Sequence, residues 1–153
     1  MIPNIETGKS FRGAQLYYLH DKRQNGEAER LTSDRVAWVE TLNLPTGDPE
    51  RAWRIMAHTA LAQAELKAAA GVKATGRKLT KPVFAYSLAW HPDEKPTKAE
   101  QLEAARASLE AQGLEEHQAI ILCHDDEPQA HVHVIVNRVH PGTGKAAASR
   151  IPS

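Results

Sequence analysis

The chain has 153 residues, 41% hydrophobic and 25% charged with no net formal charge, which fits one soluble domain with a substantial core. Its single cysteine, Cys123, excludes an internal disulfide framework and suits a reducing compartment. No apolar run reaches the roughly 18 residues of a membrane span, and MIPNIETGKSFRG lacks the apolar centre of a signal peptide, so a cytoplasmic protein is expected.

A short strand over residues 1–5 leads into a polar stretch over residues 7–12. Ser10 is placed to cap a helix from Phe11 to about Arg23, which stops before Asn25-Gly26. Residues 35–42, RVAWVETL, alternate as a strand, and residues 43–47 are a loop. Asp48 then caps a long helix with Pro49 at its first position. Trp53, Met56, Ala57, Ala60, Leu61 and Ala64 form its predicted buried stripe, and Gly71 is its stop. Residues 82–90, PVFAYSLAW, read as a strand, and residues 91–96 turn the chain. Thr97 caps a third helix to about Gln112, with Leu102, Ala105 and Leu109 inward and Gly113 ending it. Residues 119–124 and the valine-rich stretch from His131 are two further strands, joined by the short polar loop of residues 125–129. Residues 138–153 hold Pro, Gly and Ser without periodicity and read as a loop or frayed tail. There is no internal repeat. This order predicts an α+β fold, with a mainly antiparallel central sheet, helices packed on one face and a three-histidine hairpin on the other.

The chemistry concentrates in residues 124–145, HDDEPQAHVHVIVNRVHPGTGK. Successive strand side chains alternate, so His131, His133, Ile135 and Asn137 share one face while Val132, Val134 and Val136 share the other. Pairing across the loop sets His124 opposite His131, where facing Cβ atoms lie about 4.5–5.5 Å apart. Three imidazoles on a rigid hairpin can converge on one divalent ion and leave its other positions open, as a catalytic site requires. Asp126 is placed to accept the far N–H of a ligand imidazole and fix its tautomer. The plainer alternative is a cluster of satisfied structural histidines; three at hairpin register beside an acid favour the metal. Imidazole nitrogens suit transition ions better than Mg²⁺. Alternation sends Cys123 to the opposite face, as a small core residue.

Zero net charge at first argues against a nucleic-acid partner, but the charge is segregated. Residues 51–81 hold seven Lys/Arg and one acid, residues 128–153 three and none, and residues 91–127 three against ten acids. A basic face beside an acidic one is therefore permitted. Lys73, Arg77, Lys78 and Lys81 lie in the acid-free segment VKATGRKLTKP, a candidate rail for a phosphate backbone, with solvated surface as the alternative. Tyr17-Tyr18 is the candidate nucleophile pair. Tyrosine attacks poorly at its free pKa near 10, and a neighbouring cation improves it. Taken alone, Tyr18 reads as easily as an extension of its helix's apolar face.

Three elements in order change that balance. They are Tyr18-Leu19-His20-Asp21-Lys22 as Y-L-x-x-K, Ser87 to Pro96 as S-x-x-W-x3-E-x-P, and His124 to Pro141 as H-x-D-x4-H-x-H-x3-N running into N-R-V-H-P. Together they resemble the mobilisation relaxases of the MobA/VirD2 type, HUH endonucleases that nick plasmid DNA at an origin of transfer. The resemblance spans nearly the whole chain, and its third element is the most specific. It implies a tyrosine that attacks one phosphodiester of single-stranded DNA, giving a 5′-phosphotyrosine and a free 3′-hydroxyl. Tyr18 matches the nucleophile because it immediately precedes Leu19; Tyr17 is the runner-up. His124, His131 and His133 match the metal positions, with Asp126 behind them and Mg²⁺ or Mn²⁺ as the expected ion; purified protein can carry Zn²⁺ or Ni²⁺ instead. Ser87 matches a residue that holds DNA near the nick, and Asn137 one that orients the site. Accessory mobilisation proteins and a conjugative secretion system are the implied partners besides DNA. Family domains often run longer, which implies a single domain shortened at its C-terminus.

Rival readings remain at this point. A histidine-triad nucleotidyl hydrolase wants a third histidine where Ile135 stands. A metal-dependent phosphodiester hydrolase using water would tolerate loss of Tyr18. A catalytically silent DNA-binding or replication-accessory module would bind DNA and form no adduct.

Overall fold

The computed structural model describes residues 4–19, 36–74, 78–124 and 129–148, with side chains at residues 8–15 and in the three later segments. Arg77, Asp126, the end of the first predicted helix and the last five residues lie outside that set.

Five strands form one sheet: β1 (Asn4–Gly8), β2 (Val36–Leu42), β3 (Val83–Ala89), β4 (Ala119–His124) and β5 (His131–Asn137). They are ordered β1-β3-β5-β4-β2, with every neighbouring pair antiparallel. The helices are α1 (Phe11–Leu19), α2 (Pro49–Leu61), α3 (Gln63–Ala69) and α4 (Lys98–Ala111). The expected α+β architecture with an antiparallel sheet is the one that forms.

The local signals behave as their chemistry requires. Ser10 Oγ accepts from the Gly13 N–H at 2.9 Å, and Asp48 accepts from Glu50 N–H ahead of Pro49. Thr97 and Glu100 complete a reciprocal capping box on α4. Gly71 and Gly113 follow the last turns of α3 and α4 with φ of 71° and 72°, a region glycine enters without a steric cost.

Alternation along the central strands divides the core in two. Phe84, Tyr86 and Leu88 of β3, Ile121 and Cys123 of β4, and Val132, Val134 and Val136 of β5 pack with Ala105 and Leu109 of α4. On the other side, Val83, Ala85, Ile120, Leu122 and Ile135 pack with Phe11 of α1 and with Ala52 and Met56 of α2. Helices therefore cover both sides of the sheet rather than one. The reason is that both sides carry enough apolar surface to require cover: the α4 side is apolar throughout, the other over half its length. The histidines share their side with α1 and α2.

Two further expectations change. The long helix after Asp48 breaks at Ala62, whose N–H is shared between the His58 and Thr59 carbonyls, and α3 begins one residue later. Leu61 is 86% exposed and Ala64 is also exposed, so the buried stripe ends at Ala60. Residues 138–148, expected to be a loop or a frayed tail, form a hydrogen-bonded loop that is fixed in place. His140 N–H donates to Lys145 O, Gly144 N–H to His140 O and Ala147 N–H to Arg138 O. Gln63 Nε2 of α3 donates to Gly144 O at 3.0 Å. A Cβ on Gly144 would lie 2.7 Å from Gln63 O, so only glycine permits this approach.

Candidate functional site

The β4–β5 register pairs His124 with His131 and Leu122 with His133, as the hairpin pattern requires. Ile120, Leu122 and His124 alternate onto the α1–α2 side, and so do His131, His133 and Ile135. The three imidazoles gather at one end of the hairpin, with ring centroids 5.3 Å apart for His124–His131, 4.4 Å for His124–His133 and 5.1 Å for His131–His133. One ring nitrogen from each lies within 4.8 Å of the other two. Ligand nitrogens at about 2.0–2.1 Å from one ion would stand somewhat closer, a change that small side-chain rotations supply.

His124 is 2% exposed, whereas His131 and His133 are half-buried, so the cluster opens on one side. His131 Nδ1–H donates to the Gln129 carbonyl at 3.2 Å, which leaves Nε2 as its ligand atom. Gln129 was not anticipated from sequence; a backbone carbonyl gives no residue-type signal. The donor set fits a divalent transition ion: three neutral nitrogens with room for further ligands.

Ser87 pairs with His133 across β3 and β5 and stands on the histidine side, half-buried between the inward-facing Tyr86 and Leu88 of the opposite side. Tyr17 and Tyr18 fall in the last turn of α1, and their side chains lie outside the described set. The helix itself is placed by Phe11 on Val83, Ala85 and Ile135, and by a buried Gln15 one turn later. The third tyrosine, Tyr86, faces α4, where its hydroxyl meets Ser108 Oγ at 2.6 Å. Burial pushes its phenol pKa up, and its place on the α4 side keeps it away from the histidines.

Asn137 sits at the opposite end of β5 from His131, fully buried. Its Nδ2 donates to Met56 O at 2.9 Å and Gln118 Oε1 at 3.1 Å, and its Oδ1 accepts from Val139 N–H at 3.0 Å. It joins β5, α2 and the 138–148 turn at some distance from the imidazoles. His117 Nδ1–H donates to Asn137 O at 2.7 Å, and burial holds the His117 pKa below its ordinary value.

Two of the predicted basic residues are also at that far end. Lys78 and Lys81 precede β3, whose first residue pairs with Asn137 and whose last pairs with His131. Six strand residues span about 20 Å. Lys73, Lys78 and Lys81 are all exposed, while Arg77 and Asp126 lie outside the described residues. Sequence reading missed Lys9, Arg12 and Lys67, which the fold brings beside Lys78 around a cleft of about 740 Å³.

Comparison with known proteins adds three findings. Residues 18–151 match the family model for relaxases, described as the MobA/VirD2-like nuclease domain, a span that takes in Tyr18 and all three histidines. Protein MobA of Acidithiobacillus ferrooxidans is 38% identical over 60 residues, covering 39% of this chain and 15% of its own length. Among solved structures, one described as the molecular basis of vancomycin resistance transfer in Staphylococcus aureus matches with a TM-score of 0.49 at 13% identity. That match covers 98% of this chain and 77% of the other.

Proposed function

The chain belongs to the MobA/VirD2-like relaxase nuclease family, and on that footing we propose that it nicks one strand of DNA at an origin of transfer by transesterification onto Tyr18. The observation that carries this reading is the convergence of His124, His131 and His133 at one end of the sheet side that α1 crosses.

β1 runs from Ser87's partner toward Val83's, and α1 then returns over β3 and β5. The seven residue steps from Phe11 to Tyr18 advance about 11 Å, and in this reading that advance brings the last turn of α1 toward the histidine end. Tyr18 comes seven residues after Phe11 and three after Gln15, both buried, so helical spacing favours it over Tyr17.

In this reading the Tyr18 oxygen attacks phosphorus and gives up its proton to solvent, the bond to the 3′ oxygen breaks, and that oxygen takes up one proton from solvent and leaves as a hydroxyl, so no net proton is consumed. A divalent ion held by the three histidines supplies Lewis-acid polarisation of the phosphate when bound. Asp126 fixes the tautomer of a ligand imidazole, Ser87 holds the strand beside His133, and Asn137 orients the site by fixing the far end of β5. Lys73, Arg77, Lys78 and Lys81 contact the strand away from the nick. The substrate is single-stranded or hairpin-extruded DNA, because a duplex would block the approach of a helix-borne tyrosine. Accessory mobilisation proteins and a conjugative secretion system would act with the product.

The test is incubation with single-stranded oligonucleotides carrying an origin of transfer and Mn²⁺, followed by a denaturing gel. A denaturation-resistant protein–DNA band is expected from the unaltered chain and from Tyr17→Phe, and none from Tyr18→Phe. Tyr18→Phe removes one oxygen and keeps the ring, so folding and metal binding should survive. An adduct that persists in Tyr18→Phe and vanishes in Tyr17→Phe moves the nucleophile by one residue. Cleavage without any adduct assigns the attack to water.

A further inference from the structure

We infer that the cleft between the start of α1, the α2–α3 break and the loop before β3 is a second nucleotide subsite, one that takes a base and its flanking phosphates away from the nick. The inference rests on the nicking reading for the identity of its polyanion. Four cations line the cleft, Lys9, Arg12, Lys67 and Lys78, against one acid, Glu65. They come from three separate segments of the chain, the start of α1, α3 and the loop before β3, and Lys9, Arg12 and Lys78 are exposed. Such a charge balance suits a phosphodiester backbone and opposes an acidic or neutral apolar partner.

The wall between these cations is apolar. Trp53 and Leu61 line it together with small alanines of α2 and α3. Leu61 is 86% exposed, the large hydrophobic left uncovered among the described residues, and it is so because α2 ends there. Trp53 is half-buried, and its indole N–H is buried with no acceptor among the described residues. An apolar wall that includes an indole, fringed by lysines, fits a base laid between its flanking phosphates. Other apolar occupants would leave four cations without counter-charge.

The cleft is also held in shape. Lys67 Cγ and Gln63 O meet Gly144 so closely that a Cβ there would lie 2.9 Å and 2.7 Å from them, and Gln63 Nε2 bonds Gly144 O. The 138–148 turn thus fixes α3 and, with it, the base of the Lys67 side chain. Of Lys73, Lys78 and Lys81, only Lys78 reaches this cleft.

The test uses the whole chain and a labelled single-stranded oligonucleotide, with binding read by anisotropy over a salt series and by tryptophan emission. Lys67→Glu/Lys78→Glu retains Cβ and Cγ at position 67, so the contact with Gly144 survives. It should weaken binding about tenfold or more and lower the salt slope by about two. Lys98→Glu/Arg106→Glu places the same charge change on α4 and should weaken binding far less. DNA should quench tryptophan emission in the unaltered chain, and Trp53→Phe should remove most of that quench, since Trp38 and Trp90 pack on the α4 side. Equal affinity and slope in Lys67→Glu/Lys78→Glu, with nicking intact, overturns the subsite and leaves the nicking reading standing. Cleft-dependent binding with no adduct supports the subsite and overturns nicking. Absence of any DNA binding overturns both. A dimer dispersed by Leu61→Asp, with DNA affinity indifferent to the lysines, assigns the cleft to a second copy and overturns the proposal.

Discussion

The two sides of one sheet are built for different ends. On the α4 side every inward position of β3, β4 and β5 is apolar and covered, from Phe84 and Tyr86 to Val132, Val134 and Val136. On the other side the apolar residues stop partway: Val83, Ala85, Ile120, Leu122 and Ile135 lie beneath α1 and α2, and then Ser87, His124, His131 and His133 continue the same rows. The same strands thus anchor the imidazoles from behind while leaving them open in front. A rigid backing matters because three ligands converge usefully only if their backbones do not drift.

Several experiments sharpen or break that contrast. The largest effect is expected at the open end. Replacing His131 and His133 together by Ala should abolish Mn²⁺ binding by calorimetry while thermal stability changes little, since both are half-buried. Retained stoichiometric binding would remove the metal centre. Next comes the closed side, where Leu109→Ala empties a 1%-exposed position of α4. It should cost about 2–5 kcal/mol in denaturant unfolding and leave the metal affinity of the folded protein unchanged; a large loss of affinity would mean the two sides are not separable.

Asn137→Ala tests the junction between them. It takes from the buried Val139 N–H its Asn137 Oδ1 acceptor and removes the bonds to Met56 O and Gln118 Oε1, and should cost about 1–3 kcal/mol, with metal affinity reduced only modestly. The smallest effect concerns pH. Burial lowers the His117 pKa, so the unfolded chain binds the proton more readily than the native one. The stability this gives is whole above the unfolded value near 6.5 and is lost as pH falls from there through the lowered native value. His117→Gln should flatten that acid limb in a pH series of melts, and an unchanged slope would show that another group governs it.

Much of this was legible in the chain. The caps at Asp48 and Thr97, the ends of β4 and β5, the pairing of His124 with His131 and the inward path of Cys123 all follow from contacts within a few residues or across one short hairpin. Strand alternation also separated the valines of β5 from its histidines. It could not say which side would be covered, because that depends on how much apolar surface the distant helices bring. Sequence put helices on one side; the structure puts them on both.

The far end of the molecule shows the limit more sharply. Residues 50–70 offer no proline or glycine to end a helix after Pro49, so the break at Ala62 has no local signal. Beyond it, Gly144, some eighty residues away, docks on Gln63 and Lys67 and holds the 138–148 turn against α3. Leu61 is left exposed where α2 ends, and Lys67 of α3 lies beside Lys9, Arg12 and Lys78. The strands, the caps and the three-histidine register could be read from the chain, because periodicity and short-range hydrogen bonding are local properties. The layering and the cation-lined cleft could not, because each brings together segments far apart in the chain.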